Sequence, residues 1–417
     1  MSGRLFEKEK EEVNIFMFLS IVIPTKNRQL TAIFAIRSAL AIPNDDIEII
    51  VHDCSDVDSL RYDIETNFKS DLRVKYFFID SKPSMAENWN MAFSKATGEY
   101  VCGIGDDDAV LKEIYTIARW AKANNVAAVT HTSPVYYQWP GFSEQVYNGT
   151  IAVERSFSGE VKIVNTLKER IKDYCTLRNP NGYLDLPELY HCLIRKDILQ
   201  NIYEETGKFV DATSVDIYSV ILIGKYISSY GIIDYPFTFR GASKGSNSDR
   251  FKTGQFANHF KEYKNLSLPD ILPSCAGFYT TAAESVIIAC KNSGQEHLLE
   301  FIDLPELYAN IAIEIPEVYD LCVEKATKYA GKNGGLKKFL SSYADKKSSL
   351  TKRTKRGKIT ALIQKNLPFA ARIFRKIVPH KHILMANQAS TISEAIDWFY
   401  SYTQKQLGIF EVNQRAV

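Results

Sequence analysis

Cysteine is scarce in this 417-residue chain, and what there is does not pair. The seven cysteines, at 54, 102, 175, 192, 275, 290 and 322, are odd in number and have no close spacing. That pattern excludes a disulfide framework and a zinc site and fits free thiols in a reducing compartment, the cytoplasm. Long apolar runs are missing as well. The stretch from Ile15 to Ile23 is too short to span a bilayer and reads as a buried strand. Before it, Glu7 to Glu12 alternate with lysines, the wrong charge for a secretory signal. Two phosphate-binding signatures are also absent: no Gly-x-Gly-x-x-Gly follows the first apolar run, and no Gly-Lys-Ser/Thr loop occurs anywhere.

What is present is ordinary for a folded protein. Hydrophobic residues make up 45% and charged residues 24%, enough for one large domain and a smaller one without bulk disorder. The net charge of +2 conceals an asymmetry. Residues 346–393 hold 12 of the 51 Lys and Arg and no Asp or Glu, which leaves 39 basic against 49 acidic groups elsewhere. Within that stretch Ile359, Leu362 and Ile363, then Phe369, Ile373, Phe374 and Ile377, recur at helical spacing, with Pro368 and Pro379 as breaks. Two basic amphipathic helices are expected there. They suit an anionic membrane surface or an ordinary packed pair with a solvated basic face. Nucleic acid is disfavoured, because few aromatics interleave the cations and the rest of the chain is acidic.

Apolar periodicity then predicts alternating elements. Strands are expected at Leu19 to Ile23, Ile47 to Val51, Val74 to Phe78, Tyr100 to Ile104 and Val126 to Thr130. Helices are expected at Gln29 to Ala41, Leu60 to Phe68, Ser84 to about Ala96 and Lys112 to Asn124. Ser84 with Glu87 three residues on is a capping-box signature. The fold class is therefore α/β, a mostly parallel sheet flanked by helices, with a mainly helical C-terminal region. Ligands of such sheets bind at the carboxyl ends of the strands, here Pro24 to Arg28, Asp53 to Asp56 and Gly105 to Asp108. Asp106, Asp107 and Asp108 repel one another and call for a cation or for hydrogen-bond donors. Aspartate also suits the start of the helix that follows, and that reading stands beside the first.

Three stretches, SIVIPTKNR at 20–28, IEIIVHDCSD at 47–56 and AENWNMAFSKATGEYVCGIGDDD at 86–108, resemble the nucleotide-sugar-binding half of inverting family 2 glycosyltransferases of the GT-A fold. The resemblance implies that Pro24, Thr25, Asn27 and Arg28 line the base and phosphate region. It implies further that Asp53 reads the base, with Ser55 and Asn88 beside it, that Asp106 serves the ribose, and that Asp106, Asp107 and Asp108 hold Mn²⁺ or Mg²⁺. The donor it implies is a nucleoside-diphosphate sugar, a UDP-sugar favoured. Such an ion would act as a Lewis acid on the departing diphosphate.

The segment LYHCLIRKDILQNIYEETGKFVDATSVDIYSVILIG at 189–224 is similar to the acceptor side of a bacterial branch of that family. The similarity makes Asp216 the catalytic base, with Asp211 as competitor and a helix-capping carboxylate as the plain alternative. His191 is a further donor-site candidate, although a lone histidine on a strand is commonly structural. In RGASKGSNSDR at 240–250, Arg240, Ser243, Lys244, Ser246 and Asn247 are expected to close over the diphosphate from a Gly/Ser-rich loop, with a simple linker as the alternative. The domain plan that follows is an N-terminal extension at 1–18 and a GT-A domain at 19–250, divided at 132/133 into donor and acceptor halves. A helical region at 251–417 completes it. The acceptor implied is a glycan or a lipid-linked glycan of a bacterial surface polysaccharide, placing the protein in the cytoplasm or on the inner face of its membrane. For the last region three roles are open: packing on the catalytic half, homo-oligomer formation or membrane docking. A sugar nucleotidylyltransferase and a non-catalytic nucleotide-sugar binder remain as alternative functions.

Overall fold

In the computed structural model the described residues are 16–132, 134–142, 149–154, 157–179, 182–246, 261, 268–331, 334–366, 382–385, 389–407 and 410–414. The first strands are β1 (Leu19–Thr25), β2 (Ile47–Asp53), β3 (Val74–Phe78) and β4 (Tyr100–Gly103), alternating with helices α1 (Gln29–Leu40), α2 (Leu60–Asn67) and α3 (Met85–Phe93). β1 and β2 are buried along their whole length, as a parallel strand covered on both faces must be. Glu48, the second residue of β2, is taken up by Ser20 Oγ at 2.6 Å, Thr97 N–H at 2.6 Å and the Lys75 ammonium. α3 starts on the expected capping box: Ser84 Oγ accepts Glu87 N–H at 3.3 Å, and Glu87 Oε2 accepts Ser84 N–H at 2.7 Å.

Beyond β4 come β5 (Ala109–Val110), α4 (Glu113–Ala123), β6 (Ala128–His131), β7 (Val135–Gln138), β8 (Thr150–Glu154) and β9 (Glu160–Val164). The second half continues with α5 (Leu167–Tyr174), β10 (Leu193–Arg195), α6 (Lys196–Thr206), α7 (Val215–Tyr226), β11 (Tyr230–Ile233) and β12 (Thr238–Ala242). α6 ends on Gly207, whose φ of 70° is the left-handed conformation that glycine adopts without penalty. The last strands are β13 (His382–Met385) and β14 (Asn413–Gln414).

The main sheet has the order β14-β9-β11-β6-β10-β4-β1-β2-β3. Five of its pairings are parallel and three antiparallel, so it is mostly parallel as expected, with β10, β9 and β14 running against the other six strands. β10 runs antiparallel between β4 and β6, so the fifth expected strand does not touch the fourth. A second sheet, β13-β8-β7-β12-β5, pairs β12 with the two residues that follow the triplet, Thr238 with Val110 and Phe239 with Ala109. Sequence periodicity gave no warning of this pairing, because β5 is two residues long.

The C-terminal region is mainly helical, with helices Phe278–Asn292, Leu304–Glu314, Tyr319–Ala330, Gly335–Asn366 and Ile392–Leu407. Parts of it join the two sheets. β13 pairs with β8, β14 with β9, and Ile392, Ala395 and Phe399 are buried in the core beneath β12. The helical periodicity of residues 311–330 is realised as parts of two helices, Leu304–Glu314 and Tyr319–Ala330, separated at Pro316. Ile359, Leu362 and Ile363 lie within one 32-residue helix, Gly335–Asn366, rather than in a short one. The second basic helix, around Phe369 to Ile377, falls outside the described residues. Among the described residues no helix is long and apolar enough to cross a membrane.

Candidate functional site

The ends of β1, β2 and β4 lie side by side because Thr25 is in register with Asp53 and Val22 with Gly103. The loops that follow are tied to one another. Pro24 and Thr25 close β1, and Asn27, held at φ 57°, donates its N–H to Ser55 Oγ at 2.7 Å. The Asn27 amide also pairs reciprocally with Asp56, giving Nδ2 to Oδ2 at 2.8 Å and taking the Asp56 N–H at 2.9 Å. Asp53 is fully buried; its Oδ1 accepts Ser55 N–H at 2.8 Å and its Oδ2 the Tyr76 hydroxyl at 2.9 Å. Asn88 reaches back from α3 to His52 Nδ1 at 2.7 Å and to the Thr25 carbonyl at 3.3 Å. Asn88 and His52 therefore brace the strand ends from behind.

Arg28 is the centre of the arrangement. One of its nitrogens, Nη2, stands 2.8 Å from Asp106 Oδ1 and 2.6 Å from Asp107 Oδ2. Thr25 Oγ1 donates to Asp106 Oδ2 at 2.7 Å, and Ser243 gives Asp107 Oδ2 its N–H at 3.0 Å and its hydroxyl at 2.8 Å. Asp108 turns the other way. Its Oδ1 accepts Gly241 N–H at 2.6 Å, and its Oδ2 takes Gly105 N–H at 2.6 Å and the Tyr190 hydroxyl, with His191 Nε2 at 3.4 Å. Burial pushes Asp106 up to about 6 against the pull of Arg28, and burial raises Asp107 in the same way. Burial also pushes Asp108 up, but His191 and the donors Tyr190 and Gly241 outweigh it and hold the carboxyl below the usual range.

The three aspartates expected to hold an ion are largely paired within the chain. Five of the six carboxylate oxygens already have partners, and only Asp107 Oδ1 has none among the described residues. Nor do three His, Cys, Asp or Glu side chains among the described residues form a cage for an ion. Such a site does fit a magnesium-like ion that keeps its waters and binds through one carboxylate plus substrate phosphates. Asp107 would hold it.

Arg240 also departs from expectation. It belongs to β12 rather than to a closing loop, lies over the Tyr190 ring at 5.6 Å and pairs with buried Glu188 at 2.9 Å. Burial raises the Glu188 carboxyl, with Arg240 pulling the other way. Glu188 was missed in the sequence because it stands alone in a loop. Ser246 is buried beside Ser243, to whose carbonyl its N–H donates at 3.1 Å. Asn247 lies outside the described residues. His191 sits at φ 68°, and desolvation lowers its pKa.

Asp216 is in the first turn of α7, where a carboxylate suits the helix dipole. Its Oδ1 accepts the Ser214 hydroxyl and the Ile217 N–H at 3.0 Å. Its charge acts on Glu188, Tyr183 and His191, and His191 in turn faces Asp108. Asp211, the competitor, is exposed and held by Lys208 at 2.7 Å and Asn292 at 3.1 Å.

Residues 20–183 match the family model described as Glycosyl transferase family 2. This stretch is a family 2 glycosyltransferase domain. The curated relatives of the family 2 domain include GalNAc(5)-diNAcBac-PP-undecaprenol beta-1,3-glucosyltransferase of Campylobacter jejuni, 36% identical over 94 residues, or 22% of this chain and 30% of that protein. The putative colanic acid biosynthesis glycosyl transferase WcaA of Escherichia coli is 40% identical over 91 residues, 22% of this chain and 32% of that protein. The matched stretches thus span under a third of either relative. Among solved structures, S. aureus TarS 1-349 in complex with UDP-GlcNAc is 15% identical with a TM-score of 0.44, covering 80% of this chain and 92% of that one.

Proposed function

We propose that the protein transfers a sugar from a nucleoside-diphosphate sugar, a UDP-sugar favoured, to a hydroxyl of a glycan or lipid-linked acceptor, with inversion at the anomeric carbon. The pathway we assign is bacterial surface-polysaccharide synthesis, carried out in the cytoplasm or at the inner face of its membrane. The observation that carries this reading is the family 2 domain with Arg28, Asp106 and Asp107 clustered at the carboxyl ends of β1 and β4. Lipid linkage of the acceptor is favoured by the Campylobacter relative, whose name specifies a polyprenyl-diphosphate glycan.

Breaking the bond between sugar and diphosphate leaves charge on the departing oxygens. Thr25 and Ser243 orient the carboxylates, and Arg28 is the cation the chain itself provides. A divalent ion, when bound at Asp107, adds Lewis-acid stabilisation of that charge. Asp216, presented from α7, takes the proton from the acceptor hydroxyl on the face opposite the leaving group. The cations of the basic segment 346–393 are assigned to an anionic membrane surface.

The reading is tested by incubating the protein with Mn²⁺ and a panel of nucleotide sugars and acceptors and identifying the released product. Nucleoside diphosphate is expected. Pyrophosphate would make the protein a nucleotidylyltransferase, and binding without release would make it a sugar-nucleotide receptor.

A further inference from the structure

The Arg28 side chain is the most accessible member of its cluster, 21% exposed against 8% for Asp106 and 6% for Asp107. Among the described residues it is the one cation paired with either aspartate; the other partners, Thr25 and Ser243, are neutral. Its fork is also poorly used. Both carboxylate contacts are ion pairs through Nη2, and neither Nη2 nor Nε, both buried, completes a hydrogen bond. A guanidinium is built for two parallel bonds to one planar or phosphate acceptor, and two single contacts through one nitrogen do not satisfy it. A diphosphate offers the better match. A dication and a guanidinium on the same Asp107 carboxylate repel one another strongly where water is excluded, so the ion binds weakly while Arg28 is paired there.

We propose that Arg28 is a place-holder that sets the order of binding. In the donor-free protein it neutralises Asp106 and Asp107 and keeps divalent cations away; the arriving diphosphate draws it off and opens Asp107 to the ion that travels with the donor. The second half of this inference rests on the nucleoside-diphosphate reading above, and the first half does not.

The test separates the two. Mn²⁺ is titrated by electron paramagnetic resonance, without nucleotide, into wild type, Arg28→Met, Arg28→Lys and Arg28→Met/Asp107→Asn. Arg28→Met should bind Mn²⁺ roughly tenfold or more tightly than wild type, Arg28→Lys should resemble wild type, and the double variant should lose the gain. Equal affinity of wild type and Arg28→Met, or a gain that survives Asp107→Asn, overturns the place-holder. Calorimetry with UDP and GDP in the presence of Mn²⁺ then addresses the hand-over. Arg28→Met should bind the diphosphate roughly tenfold more weakly, and unchanged affinity overturns that step. If wild type binds neither nucleotide, the donor reading fails, and the Mn²⁺ titration still decides the place-holder.

Discussion

Gly241 lies against the main chain of Asp107. A Cβ at Gly241 would stand 1.7 Å from the Asp107 carbonyl oxygen, which also takes the Trp139 indole N–H at 2.8 Å. The Gly241 N–H meanwhile holds Asp108 Oδ1 at 2.6 Å. β12 is therefore the template that sets the triplet: its backbone fixes two successive aspartates, and only a residue without a side chain can come that close.

Gly241→Ala should accordingly damage the site more than the fold. The carbonyl it would strike is backbone, so Asp107 and Asp108 must both shift; overpacking of this kind costs about 1–3 kcal/mol. Nucleotide affinity, followed by calorimetry, should fall together with the melting temperature. Gly245→Ala is the control, since its Cβ meets open space and only the φ of 82° is strained, a cost near 1 kcal/mol. Equal nucleotide affinity in the two variants would argue that β12 does not position the triplet.

Asp216→Asn should lower turnover by roughly 10²- to 10⁴-fold, the range for losing a general base, while leaving nucleotide affinity unchanged. Asp211→Asn should behave like wild type, because Asp211 is an exposed partner of Lys208 and Asn292. Diphosphate release and calorimetry read the two quantities separately. Loss of both in Asp216→Asn would make the residue structural.

The first half of the fold was legible in the sequence because its signals are local. Buried parallel strands read as apolar runs, Ser84 and Glu87 announce a helix start, and the triplet follows directly on a strand. The partners of the triplet were not legible. Gly241 and Ser243 reach it over more than 130 positions through a strand pairing two residues long, and no periodicity marks so short an element. The same holds for Glu188, whose significance comes only from Arg240 arriving on β12. Composition placed cations in the chain but could not show that Arg28 already faces Asp106 and Asp107.

Tyr76→Phe tests how Asp53 is held. The Tyr76 hydroxyl lies 2.9 Å from Asp53 Oδ2 and 2.6 Å from Asp58 Oδ1, and its single hydrogen serves one carboxylate at a time. Burial and the two carboxylates together raise its pKa, so it remains a donor. Without it, buried Asp53 keeps Ser55 N–H but loses its second donor. Stability in urea should fall by about 1–3 kcal/mol, the usual penalty for leaving a buried carboxylate under-bonded. A variant as stable as wild type would mean that water replaces the phenol.

Asp303 joins three segments: its N–H donates to the Thr176 carbonyl at 3.0 Å, and its carboxylate accepts Arg178 Nε at 2.8 Å and Lys338 Nζ at 2.8 Å. Burial pushes this carboxyl up, and the bonds from Lys338 and Arg178 outweigh it, leaving the pKa below the ordinary 3.8. A depressed folded pKa contributes stability that is present above 3.8 and lost as the pH falls through the folded value. Because Arg178 and Lys338 are 61% and 54% exposed, solvent screening keeps the gain to about 1 kcal/mol or less. Asp303→Asn should therefore be less stable than wild type at neutral pH by that small margin in urea denaturation. The gap should close as the pH drops below 3.8. A gap that stays constant across that range would show that Asp303 acts through packing and its backbone bond, not through its charge.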